Sequence, residues 1–138
     1  MPIGAIAATE ECAKALNPGS HGSTYSGNPV CCAASYAQIT ELLEKNLAKN
    51  AKEMGEYFME QLKTLPDVKE VRGLGLLVGF ELNDVDAVQV KVKAMEKKLL
   101  VPATSNRIIR MVPPLIITKE DCDKAVAILK EAIEETAN

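Results

Sequence analysis

A link of only three residues limits the fold more than any other feature of the sequence. The run VKEVRG, beginning at Val68, and the run LLVGFEL, beginning at Leu76, are both rich in aliphatic and β-branched side chains and meet through Gly73-Leu74-Gly75. Two glycines in so short a connection predict a β-hairpin. Strands joined this tightly run antiparallel, because a parallel return needs a crossover of a dozen or more residues. The flanking segments have a different period. Leu47, Ala51, Met54, Phe58, Leu62 and Leu65 recur every three or four residues, as in a helix stopped by Pro66-Asp67. After the hairpin, NDVDAVQVKVKAMEKKLL predicts a second helix with Val85, Val88, Val92, Met95 and Leu99 on one face and Asn83 or Asp84 as cap. LLVPA and RIIRMV predict short strands, and Pro113-Pro114 breaks the chain. TKEDCDKAVAILKEAIEET predicts a last helix with Thr118 at N-cap, Asp121 at N3 and an apolar stripe of Cys122, Ala125, Val126, Leu129, Ala132 and Ile133. From about Leu47 the order is therefore helix, hairpin, helix, strand, strand, helix. That order predicts an α+β layer, a small and mainly antiparallel sheet covered by helices.

The first 46 residues fit this layer poorly. PIGAIAAT predicts a strand and EECAKAL a short helix capped by Thr9, with Cys12 and Ala13 facing inward. NPGSHGSTYSGNP is a loop by composition. Asn28 is a favoured N-cap and Pro29 suits the first helical position, so a helix starts there. A strand, a short helix, a glycine-rich loop and a helix do not make a core by themselves. The division is drawn at residues 1–46 and 47–138, with the first part the edge of something larger.

A net charge of −3 and a pI near 5.3 argue against binding to a nucleic-acid backbone, which calls for a basic face. No apolar run reaches the ~20 residues that span a bilayer, and the amino end lacks the basic region of a secretory signal. Cys12, Cys31, Cys32 and Cys122 include no C-x-x-C pair, and one histidine completes no zinc spacing. The cysteines are expected to be small, buried or half-buried thiols in a reducing cytosol, and no metal is expected.

Two segments carry candidate chemistry. In HGSTYSGNP, Ser23 and Thr24 each offer a hydroxyl donor between glycines that free the backbone, a composition suited to a phosphate or a carboxylate, or to an ordinary solvent loop. No Walker lysine follows, so a nucleotide P-loop is not indicated. In RIIRMVPPL, Arg107 and Arg110 stand three apart and on one strand would face opposite sides, one toward a pocket and one toward solvent. A guanidinium in a pocket is a bidentate clamp for a carboxylate. Arg72, in VRGLG, is expected at the hairpin corner.

The segments PGSHGSTYSGNPVCCAA, VRGLGLLVGFEL and RIIRMVPPLIITKED occur in the order and at the spacing of the C-terminal part of class III pyridoxal-phosphate aminotransferases, and MPIGAIAAT resembles the stretch that follows the cofactor-binding lysine in that family. The resemblance runs from residue 1 to about Ala132, and is greatest to members acting on N-acetylornithine, with those acting on ornithine next. It implies the tail of the large cofactor-binding domain of a fold type I pyridoxal 5'-phosphate (PLP) transferase over residues 1–46, then the small C-terminal α+β domain over 47–138. It also implies PLP as cofactor, a cytoplasmic homodimer, and transfer of an amino group from N-acetylornithine to 2-oxoglutarate in arginine biosynthesis. Nucleic acid and membrane are not expected partners. Thr24 matches the threonine that bonds the cofactor phosphate across the dimer interface. Ser23 matches the serine that contacts the amino-acid substrate. Arg110 matches the arginine before PPL that pairs with the substrate carboxylate. The family's cofactor-attaching lysine lies upstream of PIGA, so no catalytic residue is assigned here and the 138-residue polypeptide alone is expected not to transaminate. Ornithine, succinylornithine and 4-aminobutyrate aminotransferases are alternative parents. A non-catalytic α+β interaction module is the alternative of another class.

Overall fold

Asn46 has a left-handed backbone (φ 48°, ψ 45°), a conformation asparagine tolerates better than most residues, and it separates two helices whose continuity the sequence pattern does not decide. The computed structural model describes residues 2–137. Their contacts form two compact units, one ending at Lys45 and the other beginning at Asn46.

The first unit holds α1 (Glu10–Ala13) and α2 (Pro29–Glu44). Both caps are where the sequence places them. Thr9 Oγ1 accepts from the Cys12 N–H at 3.4 Å, and Asn28 Oδ1 accepts from the Val30 and Cys31 N–H groups, each at 3.1 Å. The expected strand over PIGAIAAT is absent, and residues 2–9 form no regular element. A strand needs a neighbour to take its backbone hydrogen bonds, and the unit supplies none. Cys12 and Ala13 are exposed rather than inward, as is Cys32; Cys31 is half-buried. No described residue of this unit is buried, and Val30, Tyr36, Ile39 and Leu43 on α2 are all more than half exposed.

The second unit runs α3 (Leu47–Leu62), β1 (Val68–Leu74), β2 (Leu77–Leu82), α4 (Ala87–Glu96), β3 (Ile108–Met111), α5 (Lys119–Ala137). Its sheet has the order β1-β2-β3, antiparallel throughout. The hairpin turn is tighter than expected. Leu74 pairs with Leu77, leaving Gly75 and Leu76 as the turn, and Gly75 takes the positive φ (53°) that such a turn requires at its first position. Lys69 sits in a bulge between the Val68 and Glu70 pairings. LLVPA does not become a strand; only Ala103 bridges to Ile109. Pro102 has no N–H to give a ladder, although its carbonyl accepts from the Arg110 N–H at 3.0 Å.

The core lies between one face of the sheet and the three helices. Phe58 and Leu62 of α3, Val78, Phe80 and Leu82 of β2, Ile109 of β3, and Cys122, Leu129 and Ile133 of α5 are almost completely buried. The stripes expected on α3 and α5 face the core, with Leu47, Ala51, Met54 and Val126 half-buried and the rest buried. The face expected on α4 is not. Ala87, Val90 and Ala94 point inward, whereas Val88 and Met95 are exposed. The valines of AVQVKV recur every second residue, so several helical faces look apolar. The two alanines win because their small side chains let α4 lie close against α5. Asp86 caps α4 through the Val88 N–H (2.8 Å), in place of Asn83 or Asp84. The α5 capping box forms as expected: Asp121 N–H donates to Thr118 Oγ1 (3.3 Å), and Thr118 N–H donates to Asp121 Oδ2 (3.2 Å).

Candidate functional site

Strand register assigns the side chains of the sheet to two faces. Phe80 and Ile109 point to the core, as do Val78 and Met111. The alternate residues point away, in rows across the three strands: Glu70, Glu81 and Ile108, then Arg72, Gly79 and Arg110. Beyond them Leu74 and Leu77 are 87% and 59% exposed. The helices pack on the other face, so this one presents two arginines on either side of a glycine. With strands about 4.8 Å apart, the two arginine Cα atoms stand roughly 10 Å from each other. A Cβ added at Gly79 would meet only the Ile109 carbonyl oxygen, at 3.6 Å, so the glycine leaves an open recess between them.

The two arginines differ in their partners. Arg72 Nη1 lies 2.8 Å from Glu70 Oε2 and 3.5 Å from Glu81 Oε2. Glu81 also accepts from Lys69 Nζ at 2.6 Å. That bond is the main reason its carboxyl is held below the usual carboxylate range; partial burial opposes the shift and Arg72 adds to it. Arg110 has neither an ion pair nor a side-chain hydrogen bond among the described residues, unlike Arg72 and Arg107, the chain's other arginines. Arg107 lies before β3, 3.7 Å from Asp84 Oδ1, so it does not alternate with Arg110 along a strand. Both are exposed, and Arg107 borders a shallow polar cavity that Asp67, Lys69, Glu81 and Asp84 also line.

The segment leaving Arg110 is pinned from α3, where Asn50 Nδ2 donates to the Leu115 and Ile117 carbonyls at 2.7 and 3.2 Å. A cavity of about 480 Å³ beside it is lined by apolar residues such as Phe58, Met111 and Pro114. Its one ionisable residue, Asp121, is committed to Thr118, whose hydroxyl is the first cause of a lowered carboxyl pKa. That cavity has nothing free to orient a charged substrate.

In the first unit, Ser23 and Thr24 are exposed on the loop between α1 and α2, and their hydroxyls make no hydrogen bond to any described residue. They stand next to each other, between Gly22 and a turn closed by Gly27 (φ 67°). Residues 17–29 contain no acidic side chain.

The model of the family "Aminotransferase class-III" matches residues 1–133. The chain belongs to the class III aminotransferase family. It is 44% identical over 98% of its length to an acetylornithine aminotransferase of Caldanaerobacter subterraneus subsp. tengcongensis, and 45% identical over 95% to an ornithine aminotransferase of Staphylococcus carnosus. It spans about a third of those relatives, 35% and 33%. The solved ornithine aminotransferase of Plasmodium yoelii superposes on 94% of the chain and 36% of its own, with TM-score 0.84 and 32% identity. The α+β reading thus describes a portion of a class III aminotransferase fold. No described helix is long and apolar enough to cross a membrane.

In this class III chain, sequence reasoning placed Ser23 and Thr24 on a loop and Arg110 on a strand. It missed Gly79 and the row that joins Arg72 to Arg110, and put Arg72 at the hairpin corner instead of within β1. Counting by twos along β2 and β3 would have put Gly79, Glu81 and Arg110 on the outer face, but the register between strands is a tertiary fact. Asn50 gave no signal at all, since its partners lie 65 and 67 residues away.

Proposed function

We propose that this chain is the C-terminal part of a PLP-dependent aminotransferase that moves an amino group from N-acetylornithine to 2-oxoglutarate, a step of arginine biosynthesis, and that works as a cytoplasmic homodimer. On this reading residues 1–46 are the tail of the large cofactor-binding domain and 47–138 the small domain. The observation that carries the proposal is Arg110, a guanidinium without a partner among the described residues beside an open glycine recess, three residues before Pro113-Pro114, in a chain of this family. Its planar fork takes a carboxylate through two parallel N–H bonds and so fixes the substrate's orientation as well as its charge. The lack of any buried residue among those described in the first unit supports placing it against further protein.

The loop suits the cofactor. Thr24 and Ser23 present hydroxyls that no described residue engages, on a segment without a carboxylate to repel a phosphate dianion. Thr24 donates to the cofactor phosphate of the partner subunit, and Ser23 contacts the amino-acid substrate. PLP, when bound, supplies the electron sink that this chemistry needs. This chain's own part is to clamp the carboxylate at Arg110, hold the phosphate at Thr24 and help exclude water when the small domain closes.

The relatives carry both donor names at nearly equal identity, so the donor is tested directly. The full-length protein is expected to have a higher kcat/KM with N-acetylornithine than with ornithine, and the reverse order would reassign it. Arg110→Ala should raise KM for 2-oxoglutarate and leave cofactor affinity nearly unchanged. Thr24→Ala should weaken cofactor retention by roughly 1–3 kcal/mol, the cost of leaving a charged acceptor short of one bond. Normal KM in the first variant and normal retention in the second would overturn these assignments.

A further inference from the structure

Glu81 is the diagonal neighbour of two arginines. It pairs across the sheet with Glu70 on one side and Ile108 on the other, so Arg72 on β1 and Arg110 on β3 are each two residues further along. Diagonal neighbours in a sheet lie within reach of long side chains. Glu81 nevertheless binds Arg72, at 3.5 Å, and Lys69, at 2.6 Å, and makes no ion pair with Arg110. The Lys69 contact is available because the bulge between the Val68 and Glu70 pairings lies at that residue. Glu70, two residues before Arg72 on the same face of β1, in turn holds that arginine at 2.8 Å.

We infer that Arg72 and Lys69 are positioning residues: they hold the Glu81 carboxylate away from Arg110 and so keep that guanidinium open to an external carboxylate. The inference rests on the reading of Arg110 as a carboxylate clamp. Glu81 is an internal competitor for the clamp, since it carries the same functional group as the substrate and is tethered within reach. Two cations on the far side of β2 occupy it. The lowered pKa of Glu81 fits this arrangement, because its charged form is the one these cations stabilise. Loss of Arg72 frees one carboxylate oxygen to swing toward β3, where it neutralises Arg110.

The test is NMR on the full-length protein with labelled arginine and glutamate side chains, titrated with 2-oxoglutarate. In the wild type, 2-oxoglutarate shifts the Arg110 Nε resonance. In Arg72→Leu, the Arg110 resonance moves before ligand is added, and the dissociation constant rises by about threefold, the scale of one exposed ion pair. Arg72→Leu with Glu81→Gln returns both readouts to wild type, and Arg72→Lys keeps them there. Lys69→Met, which leaves the sheet rows intact, shifts both in the same direction as Arg72→Leu. Unchanged affinity in Arg72→Leu, or a loss that Glu81→Gln does not reverse, overturns the inference and leaves the clamp standing. A wild type whose Arg110 resonance ignores 2-oxoglutarate overturns the clamp itself, and the inference with it.

Discussion

Replacing Gly55 by alanine tests how the second unit is held together. Alanine is the better helix former by about 1 kcal/mol, so on sequence grounds the change in the middle of α3 should stabilise the protein. The structure gives the opposite sign. A Cβ at Gly55 would overlap the Gly75 carbonyl group and lie 2.8 Å from the Gly75 Cα. Gly75 is the first residue of the hairpin turn, so the helix is a glycine where the turn rests on it. The obstacle is main chain, and no rotamer change relieves it. Forcing an extra carbon into a packed contact costs about 1–3 kcal/mol, and a rigid obstacle belongs at the upper end. Subtracting the gain in helix propensity leaves a net loss of about 2 kcal/mol. For a unit of this size each kcal/mol moves Tm by about 4–8 °C, so Gly55→Ala should melt roughly 10 °C lower by calorimetry. Gly79→Ala is the control, because its Cβ would meet only one atom, at an ordinary 3.6 Å, and the backbone there is not left-handed. It should melt at or slightly above the wild-type temperature, since alanine recovers about 0.5–1 kcal/mol of backbone entropy. A Gly55→Ala protein as stable as the wild type would show that the helix and the turn are not in contact, and the reasoning would be wrong.

Three further outcomes follow from particular contacts. Lys97 joins α4 to α5 through Glu131 and Glu135, at 3.0 and 2.8 Å. The Glu135 hydrogen bond is the main cause of its raised pKa, and Lys97 in turn lowers that of Glu135. The lysine's contribution is complete below its ordinary 10.5 and fades as pH rises through its folded pKa; that of Glu135 is complete above its ordinary 4.5 and fades as pH falls through its folded pKa. Thermal melts of Lys97→Met should therefore lie below wild type at pH 7 and converge with it in acid, and a gap that persists at low pH would refute the pairing. Thr118→Ala removes the capping box of α5 and should cost about 1 kcal/mol in urea unfolding, whereas no change in midpoint would mean the box is ornamental. The Cys122 thiol is buried and its pKa pushed up by that burial, so a thiol reagent at pH 8 should label Cys12 and Cys32 first and Cys122 only on unfolding. Early labelling of Cys122 in the folded protein would contradict the core described above.

The parts legible in the sequence were those set by neighbours along the chain. Asn28-Pro29 and Thr118 with Asp121 identified helix starts because capping is a bond between residues two or three apart. The stripes of α3 and α5 were legible because each has one apolar face. The α4 face was not, because its valines offered more than one and the choice fell to the helix it packs against. PIGAIAAT and LLVPA looked like strands by composition, yet a strand exists only where a partner takes its hydrogen bonds. The candidate site divides in the same way. Ser23 and Thr24 lie side by side in sequence and on the loop, and Arg110 was visible beside its prolines. The glycine recess, and the competition for Glu81, depend on which residues of three strands fall into one row.

Sequence alone determined that this chain has an antiparallel hairpin among helices, where those helices begin, and which hydroxyls and arginine are candidates for anions, since each of these is fixed over a few bonds. Only the tertiary structure decided which arginine has no side-chain partner among the described residues. A guanidinium is free or neutralised according to carboxylates that strand register brings beside it, and register is settled by burying one face of the whole sheet rather than by any local run of residues.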